Sequence, residues 1–302
     1  MTDAPRISFA IPYYDNRAYL AEAVESVRAQ TVADWELVVV DDAGPEPAED
    51  LVTAVGDPRI TYHRNDERLG LPGNWNECVR RTTAPLVTLL HGDDRLLPAY
   101  AEKVLAAAGN HPGAAAYFTG VRLIDGDGQP TRTYVDSLKR LVSHGGRSGE
   151  VVGDRGLAAL LAANFIYCPT LALRRDVVGE VPFDARWHFV CDWDLTVRLV
   201  LEGRSLRGLP EPLLDYRRHA QQTTARLSLD DQRFLEELAF LREMRGRAAE
   251  AGFTAAARAA RRRVATRGHV AVSAGLDLLR GRLRPARSKG CLLWHDLRRP
   301  TT

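Results

Sequence analysis

The sequence predicts an α/β fold, a mixed sheet flanked by helices, followed by a helical C-terminal extension. Three observations predict it: short apolar runs ending in polar clusters recur along the N-terminal part, segments with helical spacing separate them, and beyond Ala225 the pattern is helical almost to the end. We therefore expect two parts, residues 1–225 and 226–302. A length of 302 residues with 45% hydrophobic and 26% charged content suits one large folded unit plus an appendage, and excludes disordered and fibrous classes.

Ile7 to Ile11 is an apolar run stopped by Pro12, and Glu36 to Val40 is a β-branched run stopped by Asp41-Asp42-Ala43-Gly44. Leu20, Ala23, Val24 and Val27 recur between them at helical spacing, so Ile7 to Val40 predicts a β-α-β unit with parallel strands. Ile60 to His63 reads as the next strand, Gly73 to Arg81 as a helix, Leu86 to Leu90 as a strand, and Pro98 to Ala108 as a helix opened by proline. Ala115 to Leu123 and Thr131 to Val135 flank Asp125-Gly126-Asp127-Gly128, which lacks the glutamate that closes a calcium loop and so predicts a hairpin turn. Leu157 to Ala163 reads as helix and Thr170 to Leu173 as strand, while Asp192 to Glu202 is a helix with Leu195, Leu199 and Val200 on one side. Breaks in the extension fall at Gly252, Gly268 and the Gly281 to Pro285 stretch.

Net charge is only +2, but the chain up to Ala225 holds 24 basic and 31 acidic residues, and the remainder 17 and 8. Cys78, Cys168, Cys191 and Cys291 are too widely spaced for a CxxC zinc site, which predicts free thiols. There is neither an apolar run of bilayer-spanning length nor a basic-then-apolar leader. A cytoplasmic location is the expectation, with the inner face of the membrane as the second.

Open parallel sheets gather ligands at the carboxyl ends of their strands, where loops and helix N-termini converge. Pro12-Tyr13-Tyr14-Asp15, Asp41-Asp42 and His91-Gly92-Asp93-Asp94 all fall at such ends and form one rim. Any one of these carboxylates, taken alone, reads more readily as a turn former or helix cap. Together they suit a nucleoside diphosphate approached through a hard divalent cation, Mg²⁺ or Mn²⁺, with Asp93 and Asp94 placed to share metal and sugar contacts.

Three segments then carry a resemblance: Ile7-Ser-Phe-Ala-Ile-Pro-Tyr-Tyr-Asp15, Ala23-Val-Glu-Ser-Val-Arg-Ala-Gln-Thr31 and Trp35-Glu-Leu-Val-Val-Val-Asp-Asp42. Gly70 to Asn76, Leu89 to Asp94, Pro169 to Arg175, Cys191 to Leu199 and Tyr216 to His219 continue it in order. Residues 6–224 resemble the family 2 glycosyltransferases of GT-A fold, which implies an inverting, nucleotide-sugar-dependent transferase. The resemblance assigns Pro12, Tyr14 and Asp42 to the nucleoside pocket, with Tyr14 stacking near the base, and Asp93 to the ribose or sugar. It assigns Asp94 and His219 to the metal, Asp192 to the general base, and Asn65, Gly70 and Asn76 to the pocket wall beside the donor. His91 stands where the family more often has an acidic residue, and Cys191 replaces the commoner acidic residue before the base. Asp194 would point about 200° away from Asp192 on a helix, which favours Asp192. A helix cap is the alternative role for Asp192.

The implied acceptor is a polysaccharide, a lipid-linked glycan or a small molecule; Trp187 is a candidate to face it, with core packing as the commoner reading of an aromatic residue beside a helix. A nucleotidyltransferase shares the architecture but requires a Gly-rich, basic phosphate loop that Pro12-Tyr13-Tyr14-Asp15 does not supply. A non-catalytic sugar-nucleotide binder is the other alternative. From Arg258 onward 12 basic residues face 2 acidic ones, interleaved with Val and Leu. That stretch (258–299) suits an anionic membrane surface or packing on the catalytic part, and its lack of aromatic platforms argues against nucleic acid.

Overall fold

The computed structural model describes residues 4–131, 149–219 and 231–298. Strand β1 (Ile7–Tyr13), helix α1 (Arg17–Arg28) and strand β2 (Trp35–Asp41) form the expected β-α-β unit, with β1 and β2 parallel from Ile7↔Trp35 to Tyr13↔Asp41. Helix α2 (Glu49–Thr53), β3 (Ile60–Arg64), α3 (Gly70–Arg81) and β4 (Leu86–Leu89) extend the parallel sheet. Apolar side chains on both faces of β1 and β2 explain their unbroken hydrophobic runs: Phe9 and Val39 lie in one core, Ala10 and Val38 in the other.

Past β4 the sheet changes direction. Its order is β3-β2-β1-β4-β8-β6-β9-β5, with β7 (Gly149–Val151) paired to β9. Strand β8 (Ala172–Arg174) runs antiparallel to β4 and β6 (Ala114–Ile124), while β6 lies parallel to the long β9 (Ser205–Arg217) and β5 (Arg95–Leu96) caps the edge. The mixed sheet is as expected, and among the described residues helices α4 (Tyr100–Asn110), α5 (Gly153–Ala162), α6 (Arg175–Val178) and α7 (Cys191–Leu201) also belong to this part of the chain.

Several boundaries differ from expectation. Helix α3 starts at Gly70 rather than Gly73, because Asp42 captures the backbone N–H groups at its start. A 3₁₀ turn over Cys168–Thr170 delays β8 to Ala172. The hairpin turn forms as expected, Asp125 Oδ1 accepting the N–H groups of Asp127 and Gln129 and Thr131 N–H returning to Leu123 O. The strand expected at Thr131 to Val135 lies outside the described residues beyond Thr131, as does the boundary at Ala225.

The extension comprises α8 (Gln232–Glu250), α9 (Thr254–Arg262), α10 (Val264–Leu279) and α11 (Leu283–Arg298). Phe240, Leu241, Met244, Ala256 and Ala260 sit in the same apolar core as Trp187, Trp193 and Val197, so α8 and α9 pack on the sheet-bearing part. Gly252 and Gly281 break the helices as expected, but α10 runs through Gly268. The break falls at Arg263, held at φ +48° with its side chain buried against Asp296. No helix among the described residues is long and apolar enough to cross a membrane. All four cysteines are free, Cys291 alone being exposed.

Candidate active site

The rim begins with two adjacent aspartates that the backbone sends in opposite directions. Asp41 is fully buried and serves structure: Oδ1 accepts Gly44 N–H, and Oδ2 accepts the Tyr62 hydroxyl and Arg64 at 2.5 Å each. Asp42 faces the start of α3, where its carboxylate accepts the N–H groups of Leu69 (2.7 Å) and Gly70 (2.9 Å) and the Asn65 amide (3.2 Å). Asn65 also donates to Asn74, whose own amide donates to Val40 O. Gly70 takes φ +74°, a conformation suited to glycine, as the chain turns into the helix. Asp42, Asn65 and Gly70 thus form one hydrogen-bonded unit.

Tyr14 leaves the end of β1 half-buried, with the Arg68 guanidinium 4.2 Å above its ring. Its backbone passes so close to Gly44 that a Cβ there would lie 1.8 Å from Tyr14 O, so only glycine fits. Pro12, two residues earlier on β1, is half-buried. Asn76 lies apart from this group: both ends of its buried amide are engaged by the Phe183 backbone, Nδ2 donating to its O and Oδ1 accepting its N–H. Its position is that of a brace between α3 and the segment before α7.

After β4, ligand atoms of His91, Asp93 and Asp94 lie within 4.8 Å of one another. Asp94 is buried; Oδ1 accepts Arg217 N–H at 2.8 Å, while Oδ2 has no hydrogen-bond partner among the described residues and lies 3.8 Å from His91 Nδ1. His91 Nε2 is likewise buried without a hydrogen bond. Burial, then the charge of Asp93, pushes the Asp94 carboxyl well above its ordinary range, and burial holds His91 below its own. His219 Nε2 lies 3.0 Å from Asp93 Oδ2, and its Nδ1 is buried without a hydrogen-bond partner among the described residues. A buried carboxylate oxygen and imidazole nitrogens without hydrogen-bond partners among the described residues are ligand types that a divalent cation accepts, so the residues fit one.

Arg217 holds this loop in shape. It is 1% exposed; Nε donates to Asp93 O, Nη1 to Gly126 O and Nη2 to Glu22, while its carbon centre lies 4.3 Å from the Tyr19 ring. Sequence reasoning marked the segment Tyr216 to His219 but did not single out this arginine. Arg68 and Glu236 were also missed, since each acts across a long sequence separation.

Asp192 is the second residue of α7, whose N-cap is Val190, so it is not the cap. Asp194 is fully buried and bonded to Arg198 at 2.7 Å. The buried Cys168 thiol is pushed up by burial and then by the charges of Asp192, Cys191 and Asp94, so one side chain lies within electrostatic reach of both the base candidate and the cation candidate. Trp187 is buried with its ring edge-on to Phe240 and its Nε1 without a hydrogen bond.

Residues 8–181 match the family described as Glycosyl transferase family 2, and the chain belongs to that family. It is similar to the putative colanic acid biosynthesis glycosyl transferase WcaA of Escherichia coli, 32% identical over 100 residues, covering 32% of this chain and 36% of WcaA. The putative teichuronic acid biosynthesis glycosyltransferase TuaG of Bacillus subtilis is 24% identical over 217 residues, 70% of this chain and 79% of TuaG. The mannosyltransferase PcManGT of Pyrobaculum calidifontis, solved with GDP-Man and Mn²⁺, superposes with a TM-score of 0.64 at 16% identity over 99% of this chain and 82% of that one. The fold is therefore the GT-A type, a mixed sheet flanked by helices and continued by C-terminal helices.

Proposed function

We propose that the chain is an inverting glycosyltransferase that moves a sugar from a nucleoside-diphosphate donor to an acceptor hydroxyl on a polysaccharide, lipid-linked glycan or small molecule. The observation that carries this reading is the pair of buried atoms, His91 Nε2 and Asp94 Oδ2, that have no hydrogen-bond partner among the described residues, on the loop where His91, Asp93 and Asp94 bring their ligand atoms within 4.8 Å of one another. The names of WcaA and TuaG favour polysaccharide synthesis, and the ligands of PcManGT favour a nucleotide-sugar donor with a divalent ion. A cytoplasmic location belongs to the same proposal.

In this reading Tyr14 and Pro12 flank the nucleobase, and Asp42 with Asn65 and Gly70 closes the nucleoside side of the pocket. Asp93 takes a ribose or sugar hydroxyl. Asp94 and His219, joined by His91, would hold Mg²⁺ or Mn²⁺, which when bound neutralises charge on the departing diphosphate. Asp192 removes the proton from the acceptor hydroxyl as its oxygen attacks the anomeric carbon from the face opposite the diphosphate. The bond to the diphosphate oxygen breaks with its electron pair, so the configuration inverts. Asn76 acts one step removed, bracing α3 against Phe183.

The test is transfer or slow hydrolysis of UDP-, dTDP-, GDP- and ADP-sugars with Mn²⁺, repeated on Asp192→Asn. We expect turnover with one donor class and a loss on the order of 10²–10⁴-fold in the variant, with donor affinity nearly unchanged. A variant keeping most of its turnover removes Asp192 from this role. Binding of a nucleotide without any turnover returns the chain to a non-catalytic binder, and release of pyrophosphate from a nucleoside triphosphate returns it to a nucleotidyltransferase.

A further inference from the structure

Helices α10 and α11 form a hairpin whose two faces differ in kind. Its acidic residues both point inward: Asp277 bonds to buried Lys289 at 2.7 Å, and Asp296 is buried against Arg263 and Arg267. Inward charge is thus neutralised within the extension. Outward, the tip carries Leu278, Leu279 and Leu283, which are 59%, 85% and 67% exposed around the turn at Gly281. Monomeric proteins seldom leave neighbouring leucines so bare.

Cations surround these leucines. Arg280, Arg282, Arg284 and Arg287 are exposed and have no acidic partner among the described residues. Farther along α11, Trp294 is 53% exposed with the Arg298 guanidinium 3.6 Å from its ring. Residues 283, 287, 291, 294 and 298 recur at intervals of three and four, so Leu283, Arg287, Trp294 and Arg298 share one helical stripe.

We propose that this hairpin docks the protein on an anionic lipid surface, its leucines and Trp294 entering the boundary between headgroups and acyl chains while the arginines meet lipid phosphates. Charge complementarity selects this occupant. A second copy meeting the face about a two-fold axis would set Arg280, Arg282 and Arg284 against their own counterparts, a like-charge contact. An acidic protein would satisfy the arginines but leaves unexplained why the most exposed leucines sit on a protruding tip. A single row of leucines between arginines suits an interface of lipid headgroups, where each chemistry meets its match.

The test is co-sedimentation of the full chain with vesicles of phosphatidylcholine alone and of equal parts phosphatidylcholine and phosphatidylglycerol. We expect pelleting with the mixed vesicles only, weakening as salt is raised. Replacing Arg280, Arg282 and Arg284 with Gln should weaken it roughly fivefold per arginine. Leu279→Glu combined with Leu283→Glu should abolish it, with melting temperature and donor turnover at wild-type values, which separates this surface from the active site. No binding to the mixed vesicles overturns the proposal. So does a concentration-dependent dimer in sedimentation velocity that the leucine variant dissociates, or vesicle binding that survives both sets of substitutions.

Discussion

Glu236, on the first helix of the extension, accepts the backbone N–H of Val190 at 2.9 Å with the same carboxylate oxygen that takes the N–H of Phe189. Those two groups immediately precede α7, and Val190, its N-cap, has no side-chain acceptor to offer. A residue of the extension therefore supplies the polar partner that the start of the Asp192-bearing helix lacks. With Asp192 as the proposed base, Glu236 would act as a positioning residue. Glu236→Ala should lower kcat by roughly tenfold or more, since small displacements of a reacting group are costly. The donor KM should hardly move, and Glu236→Gln, which keeps the acceptor oxygen, should restore most of kcat. Steady-state kinetics on the three proteins checks this; a loss confined to melting temperature counts against positioning.

In the proposed metal role, the nitrogen donor His91 beside Asp93 and Asp94 would set a preference among hard cations. Imidazole suits Mn²⁺ better than Mg²⁺, which favours oxygen-only shells. In thermal unfolding with a nucleoside diphosphate, Mn²⁺ should give the larger rise, by linkage about 2.7 kcal/mol at a hundredfold excess over Kd. Asp94→Asn should remove the response to either ion, and His91→Asp should bring the Mg²⁺ response up to that of Mn²⁺. Equal responses in the unsubstituted protein would leave His91 out of the set.

Arg217 ties Asp93 O, Gly126 O and Glu22 together from a buried position. Arg217→Met fills similar space but removes the guanidinium's bonds to Asp93 O and Glu22 and one of the two donors to Gly126 O, which keeps the Tyr19 hydroxyl, at a cost on the order of 2–4 kcal/mol. Calorimetry should show a fall in melting temperature of roughly 5–10 °C. Any response to Mn²⁺ should weaken as well, because the loop bearing Asp93 loses its anchor.

Asp154 on α5 accepts the N–H groups of Ala255 at 2.9 Å and Ala256 at 2.8 Å, at the start of α9. Desolvation alone would raise its pKa, but these two bonds and the charge of Arg258 prevail and hold it below the ordinary carboxylate value. A carboxylate lowered on folding contributes stability that is fully present above its unfolded pKa and is lost as pH falls through the folded one. Asp154→Ala should cost about 1 kcal/mol at neutral pH, the usual worth of a helix cap. The gap between variant and parent in thermal unfolding should narrow in acid, below the range where carboxylates ionise.

The β-α-β start was legible because β1 and β2 are buried on both faces, which writes continuous apolar runs into the chain, and because α1 shows one apolar stripe. The reversal at β8 was not legible, since three residues carry no direction and their partners lie on β4 and β6. Gly268 signals a break by propensity, yet α10 continues through it. The break falls instead at Arg263, whose side chain pairs with Asp296, 33 positions away. At the site, the carboxylates of the rim were readable from their strand ends. What steers them was not: Asp42 is fixed by the start of α3, Asp94 by Arg217 N–H, and the start of α7 by Glu236, all contacts that exist only after folding.

Phe240 packs against both Trp187 and Trp193 across the junction between the sheet-bearing part and the extension. Severing the chain there would strip two indoles of their cover and untie the residues ahead of Asp192. A truncated product would be greasy, prone to clump, and blunt as a catalyst, so the trailing helices belong in any minimal working unit.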